Sequence, residues 1–200
     1  MNCKRASVVS IASIFSLASL VSQAVASPYI GINAGIGRMD TPSADSGSDS
    51  IGGLSGGINA GYLWGGDSIQ YGIEAGYYMY PENKYELNGL QLNYEGKHGD
   101  LMGIGRYKFD SGWIVISKFG LAFVKQVTSG NSSVNYSKQQ TLPKITLGVG
   151  YELTNNWELN TQLSHVFGSK PTAFPNPGTS DDYNQVASID MMALGISYNF

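Results

Sequence analysis

From about residue 27 onward, apolar and polar positions alternate with a period of two, and no stretch there shows the 3.6-residue spacing of an amphipathic helix. Eight such segments follow one another: Tyr29–Arg38, Gly52–Trp64, Ile69–Tyr80, Asp100–Phe109, Trp113–Val124, Thr141–Leu153, Trp157–Phe167 and Val186–Phe200. In the first, Ile30, Ile32, Ala34 and Ile36 alternate with Gly31, Asn33, Gly35 and Gly37. In the sixth, Ile145, Leu147, Val149 and Tyr151 alternate with Lys144, Thr146, Gly148 and Gly150. One alternation is weak evidence for a strand. Eight in succession predict an all-β chain of antiparallel strands.

The connections between these segments alternate in length. Met39–Ser50, Pro81–Gly99, Gln126–Gln140 and Gly168–Asn184 are long, while the turns at 65–68, 110–112 and 154–156 are tight. One end of the sheet therefore carries four long loops, and the other carries the tight turns and both ends of the chain. That is the layout of an up-and-down transmembrane barrel. The spare alternating stretch Leu90–Tyr94 is too short to cross a bilayer twice and reads as a hairpin arm above it.

A soluble barrel would turn its apolar face inward, so the direction has to be argued. The segments reach the roughly 9–11 residues that a tilted membrane strand needs. Large aromatics on the apolar parity gather next to the tight turns: Tyr62, Trp64, Tyr71, Tyr107, Phe109, Trp113, Tyr151, Trp157 and Tyr198, including all three Trp. A ring at one level fits a girdle at a lipid–water boundary, on the periplasmic side in this layout, whereas a soluble core would spread its aromatics along the strands. At the C-terminus, Met192, Leu194, Ile196, Tyr198 and Phe200 occupy alternate positions. They resemble the terminal-strand signal of bacterial outer-membrane barrels, which the assembly machinery of that membrane reads.

The chain resembles the small outer-membrane barrel superfamily of OmpA-type membrane domains, OmpX-like proteins and opacity-protein-like surface antigens over the whole of residues 27–200. Gly72-Ile73-Glu74-Ala75-Gly76-Tyr77, Gly105-Arg106-Tyr107-Lys108-Phe109 and Lys118-Phe119-Gly120-Leu121-Ala122 carry the likeness in the third, fourth and fifth strands. The resemblance implies an eight-stranded antiparallel barrel in a bacterial outer membrane, both termini periplasmic, and an acidic residue, Glu74, in the lumen. The chain departs from the family at Asn160, where OmpA-type barrels carry a lumenal arginine, so their ion-pair gate is not expected. No peptidoglycan-binding domain is expected after Phe200.

The N-terminus adds an address. Lys4 and Arg5 precede an uncharged stretch, Ala6–Ala26, that ends in Ala24-Val25-Ala26. This predicts a cleavable signal peptide over residues 1–26; the alternative, an uncleaved anchor, is weakened by six serines in the stretch. Cys3 would be removed with it, so neither a disulfide nor a thiolate metal site is expected. Low charge (14%) and a net charge of −3 argue against a nucleic-acid partner.

The inward parity carries Glu74, Arg106, Lys108, Lys118, Lys144, Glu152 and Glu158. Eight strands leave a lumen that side chains fill, and buried charges need partners, so Glu74 is expected to pair with Lys118 or Arg106. The interior then reads as a polar plug, with a narrow gated pore as the alternative. Some small barrels act on lipid A with a His-x-Ser pair on one strand face. Here Ser164 and His165 are neighbours and point to opposite faces, and Phe167 stands two positions after His165. His98, beside Asp100, falls in a loop, and both histidines read as rim residues. The expected role is a non-catalytic surface protein, a monomer without cofactor, whose four outer loops meet a host or envelope ligand. A passive pore and a lipid A enzyme are the alternatives.

Overall fold

The computed structural model describes residues 26–39, 53–80, 83–87, 90–130, 135–168 and 186–200. Among these described residues lie nine strands: β1 (Ser27–Met39), β2 (Gly53–Gly65), β3 (Ile69–Met79), β4 (Asn83–Leu87), β5 (Leu90–Lys108), β6 (Trp113–Gly130), β7 (Asn135–Glu152), β8 (Trp157–Val166) and β9 (Ile189–Asn199). Neighbours pair antiparallel throughout, β3 pairs with β5, and β9 returns to β1, which closes an eight-stranded barrel. β4 is an additional arm, paired with the first residues of β5. Closure satisfies the backbone groups within the wall, which is what lets strands cross hydrocarbon.

Side chains are inverted relative to a soluble barrel. Ile58 is 62% exposed on the outer wall, while Glu74 of the adjacent strand is 2% exposed in the lumen. The tight turns follow from local chemistry. Gly65 and Gly112 hold φ of 136° and 84°, in the left-handed region that glycine adopts without penalty. At the third turn, the Thr154 hydroxyl accepts from the backbone N–H groups of Asn156 and Trp157. At the same end, Ser27 Oγ donates to the Phe200 carbonyl at 2.9 Å, and Phe200 N donates to the Pro28 carbonyl at 3.0 Å.

Three strands are longer than the alternation suggested. The fourth barrel strand begins at Leu90 rather than Asp100, the fifth runs to Gly130 rather than Val124, and the sixth begins at Asn135 rather than Thr141. Most of the stretches 81–99 and 126–140, expected as loops, is therefore paired backbone. The reason is physical: past the hydrocarbon both faces of a strand meet water, so the period of two fades while hydrogen bonding continues. Leu90–Tyr94 pairs with β4 as a hairpin. The last strand is shorter than expected, because Val186–Ser188 crosses the barrel mouth before β9 begins. Val186 N and Ala187 N donate to the side-chain oxygens of Gln140 and Gln126, at 3.3 and 3.4 Å, and Gly168 N donates to Ser188 Oγ. The segment expected as a signal peptide, except Ala26, and the connections at 40–52 and 169–185 lie outside the described residues.

Two apolar clusters fill the lumen. One, at the long-loop end, includes Tyr78, Tyr80, Val124, Leu142, Val166 and Ile189. The other gathers Tyr29, Leu63 and Ile114 beside the tight turns with Ile104 and Ile116. Polar side chains fill the remaining interior.

Candidate functional site

Four inward cations each meet a carboxylate. Lys118 Nζ donates to both oxygens of Glu74, at 2.8 and 2.7 Å. Glu74 Oε2 also accepts from Tyr29 OH at 2.6 Å and from Asn59 Nδ2 at 2.8 Å, and Asn33 in turn donates to Asn59. Arg106 pairs with Glu158, which lies next to a chain of amides in which Gln162 donates to Asn160 and Asn160 to Ser197. Lys144 pairs with Asp100 and lies 3.0 Å from His98 Nε2. Lys108 meets Glu152 at 2.6 Å where the lumen opens toward the tight turns. Only that last pair is substantially wetted, at 32% and 29% side-chain exposure.

This placement corrects one reading. His98 is not a loop or rim residue: it lies in β5, 1% exposed, with its ring stacked on Tyr78 and Tyr80 at 5.1 and 5.5 Å. Lys144 Nζ also sits over the Tyr78 ring at 4.2 Å. The sequence carries the signal, because His98 and Asp100 share the even parity of Arg106 and Lys108, but a strand that starts at Asp100 leaves His98 just outside it. His165 sits on the outer wall, with Nδ1 2.6 Å from Asp190 Oδ1, and its ring meets Phe167 edge-on. Among the described residues no serine hydroxyl bonds either histidine, and no three His, Cys, Asp or Glu side chains gather as a metal site.

Little room is left among these charged side chains. The free space among Tyr29, Glu74, Arg106, Lys118, Glu158 and Gln162 is about 10 Å³, close to the minimum for one water molecule. Such an interior can hold charge and resist hydration. Among the described residues His98 Nδ1, Asp100 Oδ1, Arg106 Nε and Gln126 Nε2 have no hydrogen-bond partner.

On the outer wall, rings meet in pairs beside the tight turns: Tyr62–Trp64 at 5.1 Å, Trp64–Tyr71 at 6.3 Å, Tyr107–Phe109 at 4.8 Å, Trp113–Tyr151 at 5.2 Å, Trp157–Tyr198 at 5.0 Å and Tyr198–Phe200 at 5.0 Å. Met192, Leu194 and Phe200 of the last alternation are likewise exposed on the outside.

A closed antiparallel barrel with an apolar exterior and a charged interior is the architecture of small outer-membrane barrels. The chain belongs to the outer membrane protein β-barrel family, whose model matches residues 7–200. Three solved structures share the fold at low identity. Ail, the attachment invasion locus protein of Yersinia pestis, is 15% identical with a TM-score of 0.53, covering 90% of this chain and 100% of its own. Neisserial surface protein A is 15% identical with a TM-score of 0.57, covering 88% and 99%. The N-terminal barrel domain of Pseudomonas aeruginosa OprF is 18% identical with a TM-score of 0.52, covering 86% and 97%. No curated protein matches the sequence. The family is that of bacterial outer-membrane barrels, and that membrane is where it places this protein.

Proposed function

We propose that this protein is a non-catalytic surface protein of the outer membrane that acts through the loops at its long-connection end. In this reading residues 1–26 direct export and are removed, the tight turns and both termini face the periplasm, and the barrel works as a monomer. Met192, Leu194, Ile196, Tyr198 and Phe200 present the signal for the barrel-assembly machinery. The observation that carries the reading is the close packing of the charged interior. About 10 Å³ lies free between the paired charges, with apolar clusters at both ends, which supports a structural interior and a role carried by the exposed ends. Binding residues on a rigid scaffold usually sit on its loops. The extended β5, β6 and β7 support this reading too, since they raise a paired wall beyond the bilayer. Ail shares the fold, and one of its structures holds the heparin analogue sucrose octasulfate; a loop-borne contact of that kind is what this reading expects here.

The test is to shorten the connections at 40–52, 81–94, 131–134 and 169–185 together in the full chain and measure attachment of expressing cells to host cells and matrix. Loss of attachment with unchanged membrane insertion is the expected result. Attachment that survives loop removal overturns the proposal. Steady single-channel conductance in planar bilayers would move the assignment to a pore, and a changed lipid A mass in expressing cells would move it to an enzyme.

A further inference from the structure

The inward cations described above all have carboxylate partners, but two lysines on the outer wall do not. Lys97 of β5 and Lys125 of β6 stand directly opposite each other in the antiparallel ladder. Like charges in that position repel and destabilise a sheet. Among the described residues neither lysine has an ion-pair or hydrogen-bond partner. Glu95, on the same face two residues before Lys97, is exposed opposite Val127 and pairs with neither.

Their surroundings are specific. One step toward the membrane the outer wall reads Tyr77, Gly99, Phe123 and Thr141 across four strands. Leu101 and Leu121 follow below. The lysines therefore sit where the lipid-facing wall ends on the long-loop side. Beside Lys125 a cavity of about 310 Å³ is lined by Phe123, Gln139 and Thr141, which adds neutral hydrogen-bonding groups to the two charges. Gly99 leaves a notch between the exposed rings of Tyr77 and Phe123. The wall does not need glycine there, since a Cβ would come no nearer than 3.7 Å to another atom, the Gly76 carbonyl oxygen.

The geometry points to a binding site for a lipid with a net-anionic phosphate headgroup, in the leaflet at the long-loop end. The phosphate bridges Lys97 and Lys125 and replaces their repulsion with two charge-assisted contacts. Gln139 and Thr141 flank the headgroup, and an acyl chain descends over Gly99 toward Leu101 and Leu121. The position at the edge of the apolar wall selects a lipid over a free anion, because only a lipid also covers the notch.

The test uses the refolded full chain in a neutral detergent, with native mass spectrometry counting bound dihexanoyl phosphatidic acid. Dihexanoyl phosphatidylcholine and inorganic phosphate serve as comparators. Phosphatidic acid is expected to bind where phosphatidylcholine does not, and K97Q/K125Q is expected to weaken it about thirtyfold. K97R/K125R should retain binding, and Gly99→Leu, which keeps both lysines but fills the notch, should weaken the lipid alone. In phosphatidylcholine bilayers K125Q should raise Tm by relieving the repulsion, and in bilayers containing phosphatidic acid it should lower it. Unchanged binding by K97Q/K125Q, or equal binding of phosphatidylcholine, overturns the site. Displacement of the lipid by inorganic phosphate at equal concentration overturns the lipid assignment in favour of a free anion.

Discussion

Lys118 of β6 reaches across β5 to hold both carboxylate oxygens of Glu74 on β3, at 2.8 and 2.7 Å, with each side chain at most 4% exposed. The pair ties three strands together from inside. Tyr29 and Asn59 bring β1 and β2 to the same carboxylate.

Removing one partner should therefore be severe. Glu74→Gln leaves Lys118 buried without a counter-charge, and a loss of about 3–5 kcal/mol is expected. Equilibrium urea unfolding of the protein in lipid vesicles measures it. Replacing both residues by leucine should recover a large part of the loss, and a double-mutant cycle gives the coupling directly. Independent, additive effects would mean that the contact contributes little.

Two glycines should respond in opposite ways to alanine. At Gly120, on the inward face, an added Cβ would run into the backbone of Leu101 and Met102, so neighbouring strands must separate. At Gly99, on the outer wall, it meets nothing closer than 3.7 Å. Gly120→Ala is expected to cost on the order of 2 kcal/mol or more, and Gly99→Ala to stay within about 0.5 kcal/mol. Refolding yield and heat-modifiable gel mobility separate the two.

Trp64, Trp113 and Trp157 each pack against a tyrosine beside the tight turns. Such rings settle at the boundary of the hydrocarbon. In vesicles of brominated lipids, single-Trp variants should show the same quenching profile, strongest for bromines near the headgroups. A tryptophan quenched best from the bilayer centre would contradict a common level.

Val186–Ser188 is fastened over the barrel mouth by side chains rather than by strand pairing alone. Replacing Gln126 and Gln140 by alanine should speed amide exchange at Ala187 and Val186 by up to about tenfold, the range for losing one hydrogen bond each. Exchange in the centre of β9 should not change. Uniform acceleration along β9 would mean that the crossing segment and the strand open as one unit.

How much of this was legible in the sequence follows the physics of the bilayer. Where one face meets lipid and the other meets the lumen, as at Ile30 and Asn33 or Leu147 and Thr146, alternation is enforced and the strand can be read. Past the membrane Gln126, Ser137 and Gln139 continue the strands without alternation, so the pattern stops short of the true extent of β5, β6 and β7. The apolar interior residues Leu63, Ile104, Ile114 and Ile116 also escaped, because an inverted pattern directs attention to polar residues inside. The partner of Arg106 was out of reach for another reason. Glu158 lies on β8, three strands away around the ring, and only the tilt and stagger of a closed wall decide which inward side chains meet.

The fastening of Ser27 and Pro28 to Phe200 has a consequence for the chain as a whole. β1 and β9 are in register from Tyr29 against Asn199 to Met39 against Ile189, a ladder like any other in the wall. The sheet is thus a ring whose starting point is set by where the polypeptide happens to be cut. Joining residue 200 to residue 27 through a short linker and opening the chain at the turn 110–112 would leave every ladder in place. The same barrel would then close between β5 and β6 as its final seam, and insertion of such a rearranged chain would separate the information held in the wall from that held in the order of synthesis.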